Sequence, residues 1–84
     1  MAEVIMYSTA YCPYCTRARE LLAHKGIVFT DIRVDEYPEK REEMVRKSNR
    51  NTVPQIFING QAIGGCDDMF ALDHAGQLDE LLRG

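Results

Sequence analysis

The chain has 84 residues, of which 45% are hydrophobic and 27% are charged, and its net charge is −3. These values are typical of one small globular domain, which we expect to span residues 1–84, and they exclude a disordered or fibrous chain. The sequence has no basic cluster, so we expect no nucleic-acid binding. It has no long apolar run and carries an acid at Glu3, so we expect no membrane span and no secretory leader. We therefore expect the protein in the cytoplasm.

The first half of the chain predicts two strands joined by a helix. Glu3–Ser8 is a short, mostly apolar run of β-prone residues, as expected for a buried strand. From Pro13 to Lys25 apolar residues recur at the spacing of an amphipathic helix, and Gly26 ends it. Ile27–Val34 alternates apolar and polar residues and predicts a second strand. Because the two strands are joined by a crossover helix, we expect them to pair in parallel.

The second half predicts a helix, a hairpin and a last helix. Pro38 suits the first position of a helix that ends near Asn49. Asn59-Gly60 lies between two apolar runs and indicates a type I′ hairpin turn, in which both central residues need positive φ. A last helix opens at Asp67-Asp68 and is broken or kinked at Gly76. The order βαβαββα predicts an α/β fold with a four-stranded mixed sheet flanked by helices.

Two of the three cysteines, Cys12 and Cys15, lie where the first strand gives way to the first helix. If Pro13 is the first helical residue, Cys12 is the N-cap, where unpaired amides and the helix dipole stabilise a thiolate. Cys15 falls one turn later on the apolar face, so we expect it to be sheltered and to keep its proton. This asymmetry predicts that Cys12 attacks a disulfide and that Cys15 resolves the product.

Other interpretations of the pair stay open on the residues alone. The two cysteines could be small hydrophobic residues at a helix start, or half of a metal site. A zinc site takes four ligands, and Cys66 with the isolated His24 and His74 makes a poor set, so we expect no metal. A C-x-x-C motif near a strand-to-helix junction favours redox chemistry over both alternatives.

Three motifs in the same order and spacing resemble the glutaredoxin family, and most closely its short bacterial dithiol members. The resemblance runs essentially from end to end of the chain. It implies a thioredoxin fold and glutathione-dependent thiol-disulfide exchange. The motifs are Cys12-Pro13-Tyr14-Cys15, Thr52-Val53-Pro54-Gln55-Ile56-Phe57-Ile58 and Ile63-Gly64-Gly65-Cys66-Asp67-Asp68.

The resemblance also implies part of a glutathione site. Pro54 matches the family's cis-proline, which faces the active cysteine. The backbone of Val53, after Thr52, would pair with the cysteinyl unit of glutathione as a short antiparallel strand. Tyr14 would form an exposed wall of the groove. Without the resemblance, Thr52 and Val53 are simply a β-branched entry to a strand, and Tyr14 is a surface aromatic residue.

Gly65, Cys66 and Asp67 form the other part of the implied site. Glycine allows close approach to the backbone, and a helix start offers amides to a carboxylate. The amides of Cys66 and Asp67 would bind the γ-glutamyl carboxylate, and the Asp67 side chain its ammonium group. The alternative is an ordinary acidic helix cap, and for Asp68 the two interpretations are equally balanced. Cys66 itself is expected to be inert, with side oxidation or glutathionylation as the alternative.

The sequence departs from the family at Thr9, where many glutaredoxins carry a lysine that supports the thiolate and the glycyl carboxylate. Arg41 matches a family position that contacts the glycyl end, so we expect its guanidinium to bind this carboxylate. The alternative is a solvated arginine paired with a nearby acid, Glu42, Glu43 or Asp35.

The implied enzyme reduces protein disulfides and glutathione mixed disulfides. Glutathione is its co-substrate, with no tightly bound cofactor. Its partners would be disulfide-bonded or glutathionylated proteins, with ribonucleotide reductase as the family's example, and we expect a monomer. A different class of function is an iron-sulfur carrier, a dimer with a cluster between two Cys12 thiolates and two glutathiones. The second cysteine and Pro13-Tyr14 argue against it, and the intact pair argues against a non-catalytic binding module.

Overall fold

Strands and helices alternate through the first half of the chain, and a hairpin and two short helices complete it. The computed structural model describes residues 2–83. The elements are β1 Val4–Ser8, α1 Pro13–His24, β2 Thr30–Arg33, α2 Pro38–Ser48, β3 Gln55–Ile58, β4 Gln61–Gly64, α3 Cys66–His74 and α4 Leu78–Arg83. Of the helices within this range, none is long and apolar enough to cross a membrane.

The four strands form one mixed sheet in the order β2-β1-β3-β4. β1 pairs in parallel with β2 and antiparallel with β3, and β3 pairs antiparallel with β4. Asn59 and Gly60 connect β3 to β4 with φ angles of 52° and 80°, as the type I′ turn requires. The predicted mixed sheet, its parallel pair and its hairpin are therefore confirmed.

The core lies on both faces of the sheet, because successive side chains of a strand point to opposite sides. In β1, Met6 packs against α1, α3 and α4, whereas the neighbouring Tyr7 packs on the side of α2 against Met44. The ring of Tyr7 also meets Phe57 of β3 edge to face, at 5.6 Å between centroids. The central strands are buried on both faces, which explains their almost uninterrupted apolar sequence.

Two predicted boundaries are wrong. Strand β2 begins at Thr30 rather than at Ile27, because its pairing with β1 starts opposite Ile5, and Val28 is 83% exposed. Helix α3 begins at Cys66, one residue earlier than predicted, with Gly65 as its N-cap. The predicted break at Gly76 is present, since this residue has a φ of 76° between α3 and α4.

Candidate active site

Cys12 lies where the carboxyl end of β1 leads into the amino end of α1. It is the N-cap of α1, with Pro13 in the first helical turn. Its Sγ accepts a hydrogen bond from the backbone N–H of Cys15 at 3.3 Å, and its thiol donates to the carbonyl oxygen of Val53 at 3.6 Å. The half-buried sulfur therefore faces both the helix start and the segment before β3.

Cys15 is completely buried, as its place on the apolar face predicts. Burial raises the pKa of the Cys15 thiol to about 12, against an ordinary value of 9.0. Opposing contributions come from the backbone amide of Thr9 and the charge of Arg19, which lower this pKa. At neutral pH Cys15 therefore holds its proton, and only Cys12 of the pair is open to solvent.

A groove with a volume of about 200 Å³ runs beside Cys12, between α1, the segment before β3 and the start of α3. The peptide bond between Val53 and Pro54 is cis, as the resemblance implies. The groove brings together seven residues that the sequence proposed for one site, with Arg50 and Asp68 added. Its lining is Tyr14, Arg50, Thr52, Val53, Pro54, Gly65, Cys66, Asp67 and Asp68.

The chain is similar to known proteins along nearly its whole length. Residues 4–63 match the family model described as Glutaredoxin. The chain is 54% identical over 83 residues to Glutaredoxin 3 of Escherichia coli strain K12, covering 99% of this chain and 100% of the relative. The chain belongs to the glutaredoxin family. With two cysteines in its motif, it is a dithiol glutaredoxin and hence a glutathione-dependent disulfide oxidoreductase, as the sequence predicts.

Solved structures give the same fold. A buckwheat glutaredoxin-glutathione complex superposes with a TM-score of 0.91 at 28% identity, covering 98% of this chain and 77% of that one. The solution structure of glutaredoxin from Brucella melitensis has a TM-score of 0.86 at 52% identity, covering 98% of this chain and 89% of that one. The predicted thioredoxin-like α/β fold is confirmed.

In this glutaredoxin the start of α3 is fixed by Asp68. Its carboxylate accepts from the backbone N–H of Gly65 at 2.9 Å and from Arg50 Nη1 at 2.9 Å. These two partners lower the pKa of the Asp68 carboxyl. A Cβ on Gly64, whose φ is 115°, would collide with the carboxylate of Asp68. The glycine is therefore needed for the carboxylate to reach the helix start, and Asp68 has a structural role.

Arg41 lies apart from this groove. It lines a second surface depression with Val45 and Arg46, and its Nη1 donates to Asn51 Oδ1 at 3.1 Å. The alternative of a salt bridge from Arg41 to Asp35 is wrong, because Asp35 pairs with Arg33. Glu43 does not pair with Arg41 either, since its carboxylate contacts Lys40, Lys47 and Tyr7. Asn51 directly precedes the groove residue Thr52, and contact of Arg41 with a glycyl carboxylate stays a prediction.

Two groove-shaping residues escaped sequence reasoning. Arg50 is 18 positions from its partner Asp68, so no local pattern announces the pair. Gln55 is 1% exposed, and its Nε2 donates to the carbonyl and hydroxyl oxygens of Thr52 at 3.0 and 3.1 Å. An amide inside an otherwise apolar strand was the available signal for Gln55, because a buried amide needs partners.

Cys66 forms a buried part of the groove wall, with 4% of its surface exposed. Burial raises the pKa of its thiol, which agrees with the expected low reactivity. Across residues 2–83, the structure gathers no three His, Cys, Asp or Glu side chains into a metal-binding group.

Proposed function

We propose that Cys12 is the nucleophile and Cys15 the resolving thiol of this dithiol glutaredoxin. The observation that carries the proposal is the contrast between the two sulfurs. The Sγ of Cys12 sits at the amino end of α1 and beside an open groove, whereas Cys15 is fully buried and keeps its proton. A sulfur at a helix start gains from the unpaired amides and the dipole when it carries charge.

The monothiol reaction requires Cys12 alone. Its thiolate attacks the glutathione sulfur of a protein-glutathione mixed disulfide, the protein thiolate leaves and takes a proton, and Cys12 becomes glutathionylated. A second glutathione thiolate then attacks the glutathione sulfur on Cys12. This step releases glutathione disulfide and returns the Cys12 thiolate, so two glutathione units carry away the oxidation.

The dithiol reaction also uses Cys15. Cys12 attacks a protein disulfide and forms a mixed disulfide with one protein sulfur, releasing the other as a thiol. Cys15 loses its proton and attacks Cys12, which frees the second protein thiol and leaves a Cys12–Cys15 disulfide. Two glutathione molecules reduce this bond in turn.

The groove beside Cys12 is the proposed glutathione site. The backbone of Val53 lies next to the Cys12 sulfur, where the cysteinyl unit of a tripeptide would pair with it. After Gly65, the first turn of α3 offers the amides of Cys66 and Asp67 to the γ-glutamyl carboxylate, with the Asp67 side chain placed for its ammonium group. Tyr14 and Thr52 complete the lining. The buckwheat complex shows that a relative of this fold binds glutathione.

The proposed protein partners are disulfide-bonded or glutathionylated proteins, including ribonucleotide reductase as the family suggests. We place the reaction in the cytoplasm, because regeneration of the dithiol needs a pool of reduced glutathione. The chain is proposed to act as a monomer.

Two cysteine variants test the assignment. Cys12→Ser should abolish turnover of a small glutathione mixed disulfide, whereas Cys15→Ser should retain most of it and lose reduction of protein disulfides. The measurement is a glutathione-coupled assay with both substrates. Cys66→Ser, which keeps the backbone amides of the groove, is the control for loss of a thiol outside the pair. Equal losses in the first two variants would refute the roles proposed for the pair.

A further inference from the structure

A polar cluster lies directly behind the loop that carries Cys12. Its members are Ser8 at the end of β1, Arg19 on α1 and Asp31 on β2. Arg19 Nε donates to Asp31 Oδ2 at 2.7 Å, and its Nη2 donates to Ser8 Oγ at 2.8 Å and to the carbonyl oxygen of Thr9 at 3.3 Å. The Ser8 hydroxyl donates in turn to Asp31. One guanidinium thus ties together two strands, a helix and the start of the active loop.

The cluster is more than a surface ion pair. Ser8 is fully buried, and the side chains of Arg19 and Asp31 are only 27% and 29% exposed. A guanidinium presents several donors in a fixed planar fork, so it can hold three oxygen acceptors in one arrangement. These contacts fix the position of Thr9 relative to α1.

Burial raises the pKa of the Cys15 thiol, whereas a hydrogen bond from the backbone amide of Thr9 and the positive charge of Arg19 lower it. Arg19 follows Cys15 by four positions on α1, so the two side chains share a helix face. The next residue of the loop is held separately, since Asp35 accepts from the backbone N–H of Ala10 at 3.3 Å.

We propose that Arg19 is a positioning residue for the resolving step, because it holds the Thr9 amide towards Cys15 and adds its own charge behind that sulfur. The inference rests on the proposed roles of Cys12 and Cys15. In the step concerned, Cys15 gives its proton to solvent and its thiolate attacks the Cys12 sulfur of a mixed disulfide. The Cys12–Cys15 bond forms, the bond to the outer sulfur breaks, and the leaving thiolate takes a proton.

The chemistry makes this step sensitive to Arg19 and the first step insensitive to it. A buried thiol attacks only through the small fraction that is thiolate. When the pKa of the thiol rises, this fraction falls, but each thiolate becomes a stronger nucleophile, which offsets part of the loss. With a Brønsted coefficient of about 0.4–0.5, a tenfold loss of thiolate slows attack by about three- to fourfold. Loss of the Thr9 contact should slow it further, whereas attack by Cys12 on oxidised glutathione does not involve Cys15.

The test measures both steps in one experiment. Reduced protein is mixed with excess oxidised glutathione, quenched with acid at intervals, and analysed by mass spectrometry for glutathionylated Cys12 and for the internal disulfide. In Arg19→Gln we expect glutathionylation within about twofold of the wild-type rate and internal disulfide formation slower by about three- to tenfold. Arg19→Lys keeps the charge and loses the planar guanidinium. Its rate of internal disulfide formation should lie between those of the wild type and Arg19→Gln.

The matched control is Arg17→Gln, because Arg17 lies on the same helix and stacks over Phe70 at 5.4 Å instead. It should leave both steps unchanged. An unchanged second step in Arg19→Gln, or equal slowing of both steps, overturns the proposal. If Arg19→Gln does not fold, Arg19→Lys decides, and a wild-type second step there also overturns it. A wild-type protein that forms no internal disulfide refutes the proposed function instead.

Discussion

The backbone N–H of Cys15 donates to the sulfur of Cys12 across 3.3 Å. The first turn of α1 therefore supports the outer thiol with the amide of the inner one. The inner thiol is itself buried, and its pKa lies at about 12. One short helical turn thus leaves one thiol beside the groove and buries the other, whose pKa is raised.

This difference predicts selective alkylation. Iodoacetamide at neutral pH should add one group per folded chain, at Cys12, because Cys15 and Cys66 are buried thiols whose pKa is raised. In Cys12→Ser the remaining thiols should react slower by about tenfold or more. Intact mass and peptide mapping measure the modification, with the denatured chain as the control. Rapid labelling of Cys15 in the folded protein would contradict the assignment.

Substitutions of the neighbouring acids Asp67 and Asp68 should affect different properties, glutathione binding for Asp67 and stability for Asp68. Asp68→Ala removes the acceptor for Gly65 N–H and Arg50, so we expect a loss of about 1 kcal/mol in the free energy of unfolding, as for other helix caps. Asp67→Ala should leave stability nearly unchanged and raise the KM for glutathione severalfold. Denaturant titration and steady-state kinetics measure the two effects. The opposite pattern would exchange the proposed roles.

Arg41 provides a test of where the glycyl carboxylate binds. If its guanidinium supplies the charge missing at Thr9, Arg41→Ala should raise the KM for glutathione severalfold with little change in kcat. Arg46→Ala is the matched control, because Arg46 lines the same depression. An unchanged KM in Arg41→Ala, or an equal rise in both variants, would remove Arg41 from the proposed site.

Asp35, which binds the loop before Cys12, should make the stability of the fold depend on pH in the acid range. Its bonds to Arg33 and to the Ala10 amide lower the pKa of the Asp35 carboxyl from 3.8 to about 2. Because the folded value is the lower one, the carboxylate stabilises the fold above about pH 4, and this contribution is lost as the pH falls through about 2.

Asp35→Asn should therefore melt at a lower temperature than the wild type at pH 7, and the difference should narrow as the pH falls from about 4 towards 2. Thermal melts over this range check the expectation. Glu36→Gln is a suitable control, since Glu36 is more exposed and lies 3.8 Å from Arg33. A difference that does not change with pH would show that Asp35 acts without its charge.

Local chemistry explains why much of the fold could be predicted. Proline at the first position marks the starts of α1 and α2, and Asn59-Gly60 specifies the hairpin. The start of β2 was mispredicted because Ile27 and Phe29 pack against the core while still outside the strand. Apolar alternation signals burial, whereas strand length depends on a pairing partner elsewhere in the chain.

The candidate site likewise contains residues that the sequence predicts and residues that only the fold brings together. The cysteine pair and the groove motifs are contiguous in sequence, so their chemistry or their family likeness could be seen in advance. The contacts of Arg19 join residues 11 and 12 positions apart, and that of Arg50 spans 18. Each of these arginines looks like an ordinary solvated side chain until the fold brings its acid close.

The groove presents much of its polarity through the main chain. The carbonyl of Val53 faces Cys12, and the amides of Cys66 and Asp67 precede the first hydrogen bond of α3, which runs from Met69 N–H to Gly65. Point mutations replace side chains and leave these groups in place wherever the local conformation survives. Such a surface tolerates sequence drift at many positions and is vulnerable mainly at glycine and proline, where a substitution alters the path of the chain itself.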